Sequence, residues 1–194
     1  DRFVRWLEDL PSEDGLPLRV LYRVDGGTDT AEEILPHLEG YFGSGPVRIG
    51  NSADAQLQLD IFGELIDTIY IYHHGHEPLH QDTWRLVHRV AGWVADNWRL
   101  ADDGIWEMRS GRREFLHSRV MCWVALDRAL RLAAASSMPA PIERWRRERD
   151  AIYEDVLARF WDPARGAFVQ STDRGGVDAS SLLMPLVHFI SPTD

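Results

Sequence analysis

The chain has 194 residues, 44% of them hydrophobic, and a formal net charge of -10 at pH 7, which is enough apolar material for a real core and excludes a disordered chain. The negative charge repels nucleic acid and anionic lipid at long range, so a neutral partner is expected and neither a nucleic acid nor a membrane. The single cysteine, Cys122, rules out an intramolecular disulfide, and no apolar run approaches the roughly 18 residues that a membrane span needs.

Asp1 to Leu7 reads as helix. The stretch Asp1 to Leu10 has neither a basic nor an apolar leader segment, so a cytoplasmic location is expected. Residues 11–50 are rich in Gly, Pro and Asp around the short run Leu18 to Val24, a strand or loop excursion. From Ala53 to Tyr72 apolar residues recur at Leu57, Ile61, Leu65 and Ile69, which predicts one long helix. Asp60, Glu64 and Asp67 fall on one stripe of it and read as its solvent face. Helices are likewise predicted over Thr83 to Trp98, Glu114 to Ala135 and Ile142 to Phe160. A shorter one runs from Ala179 to Ile190, where Pro185 marks a kink or a first turn. Helices joined by polar turns, without alternating strand patterns, predict an all-α fold of helical hairpins. Cys122 sits in the apolar run Val120 to Val124 and is expected to be a buried, inert thiol.

The chemistry-bearing stretch is Asp102-Asp103-Gly104-Ile105-Trp106-Glu107-Met108-Arg109, between two predicted helices. A Trp beside a Glu supplies an aromatic plate for a pyranose ring and a carboxyl that an apolar neighbour can keep protonated for donation to a glycosidic oxygen. The same residues also make an ordinary surface turn, its acids paired with Arg109, Arg112 and Arg113. Arg48, Asn51 and Ser52 stand before the long predicted helix, where Asn51 or Ser52 can cap it. His73, His74, His76 and His80 crowd one Gly- and Pro-containing turn but lack a defined ligand spacing, so no metal site is assigned and no cofactor is expected.

Five segments taken in order resemble the catalytic domains of prokaryotic glycoside hydrolase family 15, the glucoamylase and trehalase type. They are Gly43 to Asn51, Gln58-Leu59-Asp60 with Gly63-Glu64, Asp103 to Arg109, Ser118 to Ala129, and Val177 to Leu186. The resemblance covers nearly the whole chain. It implies part of an (α/α)6 toroid whose inner helices surround a pocket for the non-reducing end of an α-glucoside or oligosaccharide, hydrolysed with inversion. Glu107 would be the general acid and Trp106 part of the pocket wall, with Arg48, Asn51 and Arg109 as contacts to sugar hydroxyls. Residues 1–194 would be the middle portion of one catalytic domain, and the general base would come from a motif beyond the aspartate-alanine-serine stretch. The remainder of that domain, or a second copy, would then cover the apolar faces left open. Trehalose, maltooligosaccharides and isomaltosides are not separated by these residues. Two other readings stay open: a non-catalytic helical interaction domain, and a divergent α/α-toroid epimerase or lyase that uses His73, His74 or His76.

Overall fold

The computed structural model describes residues 2–8, 18–74, 79–107, 111–173 and 176–193. Among these, helices dominate as expected: α1 (Arg2–Glu8), α2 (Asp60–His73), α3 (Gln81–Asn97), α4 (Leu116–Ser136), α5 (Ile142–Arg159) and α6 (Leu183–Leu186). The excursion before α2 holds a two-residue antiparallel ladder, β1 (Glu33–Ile34) against β2 (Arg48–Ile49). A second ladder, β3 (Trp161–Asp162) with β4 (Ala167–Phe168), follows α5. No helix among the described residues is long and apolar enough to cross a membrane.

The organising element is α4. Apolar residues occupy every side of it, and sixteen of its residues are buried, the pattern of a helix enclosed by others rather than lying on a surface. Asp60 faces His117, Gly63 faces Met121 and Asp67 pairs with Arg128, so α2 and α4 run parallel, side by side. The approach is close because Gly63 has no side chain: a Cβ there would lie 2.3 Å from the Met121 carbonyl oxygen. On another side α5 runs antiparallel to α4, with Asp155 near Arg119 and Arg149 near Asp127. The face that α5 buries is Trp145, Ile152 and Val156, spaced at whole turns. Each such side chain contributes about 1.5–3 kcal/mol by leaving water. Behind them, α3 packs Trp93 against Phe62 at 4.4 Å and Trp84 against Trp145 at 6.2 Å.

The long predicted helix differs from its expectation. Its front is a 3-10 turn (Ser52–Ala55), and α2 proper begins only at Asp60. Residues 56–59 are not helical because the Leu57 and Leu59 N–H groups are claimed by carboxylates far along the chain, described below. Asp60 therefore stands in the first turn of α2 and is buried, not on a solvent face, whereas Glu64 is exposed. The segment from Ala179 divides into a 3-10 turn (Ala179–Leu182) and α6, with Pro185 in α6's single turn.

Candidate active site

The loop from α3 to α4 is anchored by two adjacent aspartates. Asp102 is fully buried, and its Oδ2 accepts the Leu59 N–H at 2.9 Å and the Ser118 hydroxyl at 2.7 Å. Asp103 Oδ2 accepts the Leu57 N–H at 2.8 Å and Arg112 Nε at 3.1 Å, while its own N–H returns to the Leu57 carbonyl at 2.8 Å. Burial raises the Asp102 carboxyl's pKa, against the pull of the Leu59 N–H, Ser118 and Arg119. An Asp102–Arg113 backbone bridge closes the base of the loop.

Above that base the chain turns sharply. Gly104 takes φ +69 with the Phe115 ring so close that a Cβ would sit 2.8 Å from it, so this position requires glycine. The Glu107 N–H donates to the Gly104 carbonyl at 3.1 Å, and Glu107 itself is left-handed, at φ 51, with its side chain exposed. Trp106 is 56% exposed, and its indole N–H donates to Asp178 Oδ2 at 2.8 Å. Asp178 caps the 3-10 turn that follows it, accepting the Ser180 N–H at 2.8 Å and the Ser180 hydroxyl, and it also takes Gln170 Nε2 at 3.1 Å. Trp106, Phe115, His117, Gln170, Asp178 and Gly104 line a shallow recess with a volume of about 10 Å³, room for about one water molecule.

His117, second in α4, is buried in the floor of this recess, and its pKa is lowered to about 4, chiefly by desolvation, with the Asp178 charge acting the other way. Behind it, Asp60 Oδ2 lies 3.8 Å from His117 Nε2, beyond hydrogen-bond range. Desolvation first, then the Asp102 charge, raises Asp60 to about 6.

Of the residues that the sequence singles out, Trp106 and Glu107 share the turn beside this recess. Arg48 stands on β2 and forms an ion pair with Glu32 at 3.2 Å. Asn51 caps the 3-10 turn at Ser52–Ala55 through the Ala53 N–H at 2.9 Å and lines a second recess with Thr30 and Gly50. Arg109 lies outside the described residues, as does His76 of the histidine-rich turn. His73 ends α2, and His80 precedes α3. No group of three or more His, Cys, Asp or Glu residues is placed to hold a metal ion among the described residues.

The sequence reading did not assign site roles to Asp60, His117, Gln170 or Asp178. For Asp178 a signal was present, since an aspartate followed two residues later by serine is a capping pattern. A lone histidine such as His117 on an apolar helix carries no comparable signal.

The sequence model described as glycosyl hydrolases family 15 matches residues 1–194. Trehalase of Mycobacterium tuberculosis is 39% identical over 178 residues, which are 92% of this chain and 26% of that protein. Trehalase 1 of Sulfolobus acidocaldarius is 40% identical over 179 residues, 91% of this chain and 30% of that protein. Trehalase of Thermoplasma acidophilum is 35% identical over 177 residues, again 91% and 30%. The chain thus spans less than a third of the length of these relatives. No solved structure matches it.

Proposed function

The chain belongs to glycosyl hydrolases family 15, and from that premise we propose that it is part of a catalytic domain that hydrolyses α,α-trehalose, with Glu107 as general acid. Trehalose comes first among α-glucosides because the relatives above are trehalases. The observation that supports the assignment of Glu107 is its turn: an exposed carboxyl next to Trp106, which lines the recess, on a loop whose base is pinned by two aspartates. A flexible surface charge needs no such support, whereas a group that must meet one oxygen atom does. The parallel pair α2 and α4, with α5 returning antiparallel, fits two inner helices and an outer helix of an α/α ring.

In the mechanism proposed, Glu107 gives its proton to the glycosidic oxygen as the bond to the anomeric carbon breaks. A water attacks the opposite face, deprotonated by a second carboxylate roughly 6.5–9.5 Å from the first, as inverting hydrolysis requires. That second carboxylate comes from sequence outside these 194 residues. Trehalose then yields one β-glucose, from the attacked ring, and one α-glucose, from the departing ring. The indole plane of Trp106 offers the apolar face against which a pyranose packs.

The test is glucose release by the full-length protein that carries this chain, from trehalose, maltose, maltotriose and isomaltose, beside its Glu107→Gln variant. Hydrolysis of trehalose with equal β- and α-glucose at early times, and a loss of about a hundredfold or more in Glu107→Gln, is expected. An unimpaired Glu107→Gln variant overturns the acid assignment. Activity on maltotriose but not trehalose replaces the substrate with the glucoamylase type.

A further inference from the structure

Glu107 holds a left-handed backbone conformation that non-glycine residues adopt only at a cost, and such a conformation persists when its surroundings fix it. Both Trp106 and Glu107 are exposed. Among the described residues, the turn is reached from outside by the hydrogen bond from the Trp106 indole to Asp178 Oδ2 at 2.8 Å, made across 72 residues of sequence.

Asp178 is itself held firmly. Its Oδ1 accepts two donors from Ser180, and its Oδ2 accepts both the Trp106 indole N–H and the Gln170 amide N–H. Gln170 is tied in turn to the start of α4, because its carbonyl accepts the Leu116 N–H at 2.9 Å. The carboxylate therefore transmits the position of the enclosed helix to the exposed turn. An oxygen atom with two donors fixes the indole plane in direction as well as distance.

We propose that Asp178 is a positioning residue that acts through Trp106 on Glu107, fixing the direction from which the acid reaches the glycosidic oxygen. The inference rests on the reading of Glu107 as the general acid. Asp178 itself takes no part in bond breaking. Its removal lets the Trp106–Glu107 pair leave the alignment that proton transfer needs, and slows the step that depends on that proton.

The experiment uses the full-length protein with two probes, trehalose and α-glucosyl fluoride. Fluoride departs with far less proton help than a sugar hydroxyl, so a defect confined to the acid shrinks on the second probe. In Asp178→Asn the one remaining acceptor oxygen cannot serve both Ser180 and Trp106. We expect its kcat on trehalose to fall about tenfold or more with KM changed less than about threefold, and the loss on α-glucosyl fluoride to be about twofold or less. Trp106→Phe keeps an aromatic ring and loses the N–H, and should show the same split. The double variant should be no worse than the poorer single one, since both remove the same link.

Equal losses on the two probes in Asp178→Asn, while Glu107→Gln still shows the difference, overturn the inference and make Asp178 an ordinary cap. Losses that multiply in the double variant overturn it too. If Glu107→Gln itself loses equally on both probes, the acid reading fails and takes this inference with it. Should Asp178→Asn not fold, Trp106→Phe with the carboxylate intact reads the same comparison.

Discussion

The Asp102 carboxylate accepts the backbone N–H of Leu59 at 2.9 Å, across 43 residues of sequence. The same Oδ2 holds the Ser118 hydroxyl, so one buried oxygen joins the approach to α2, the loop after α3 and the start of α4. Asp102→Ala leaves a buried amide and a buried hydroxyl without their acceptor. We expect a loss of about 2–4 kcal/mol in urea unfolding, and a smaller loss in Asp102→Asn, which keeps one acceptor oxygen. A change below about 0.5 kcal/mol in Asp102→Ala would mean that this junction does not hold the segments together.

A second prediction concerns acid and base dependence. Asp60, raised to about 6 from an ordinary 3.8, keeps its proton in the folded chain over a range where the unfolded chain has released it. Its contribution to stability therefore falls as pH rises through that window. His117, lowered to about 4 from an ordinary 6.5, stays neutral when folded where the unfolded chain takes up a proton, so its contribution falls as pH drops through its own window. Asp102 and Glu64 bear on Asp60, and Asp178 on His117. The two slopes oppose each other between about pH 4 and 6, and their joint contribution there is nearly level.

Removing one partner exposes the other's slope. Asp60→Asn should lose about 3 kcal/mol between pH 6.5 and 4, and His117→Asn should be about 3 kcal/mol less stable at pH 7 than at pH 4, relative in each case to the parent's own profile. Denaturant titrations at four pH values measure this. Profiles parallel to the parent's in both variants would show that the two groups titrate as they do in an open chain.

Gly63→Ala tests the crossing of α2 and α4. The added methyl meets a backbone carbonyl, which has no rotamer to yield, so the helices must separate. We expect a cost of about 3 kcal/mol, at the upper end for overpacking, despite alanine's better helix propensity. A gain in melting temperature would show that the helices stand further apart.

The helices α3, α4 and α5 were legible because their apolar spacing is set within each segment, and packing only selects which face goes inward. The failure at residues 56–59 has a definite source. Local periodicity continues through Leu57, yet two N–H groups that a helix would use are taken by Asp102 and Asp103. Asp60 departs from the predicted solvent face for a related reason: it is the first residue of α2, and what surrounds it there is set by His117 and Asp102 from later in the chain. The Trp106–Glu107 pair could be read from composition and spacing. The recess that Trp106 lines with His117, Gln170 and Asp178 could not, since these lie in different segments that only the folded chain brings together.

Cys122 gives the enclosure of α4 a use in time rather than in space. It is the single thiol in the sequence, has no exposed surface, and its acidity is suppressed by burial. A thiol reagent can modify it only after α4 has come away from its neighbours, so the rate of labelling counts those openings directly. Each substitution proposed above can then be compared by one number, the waiting time before that sulfur is reached.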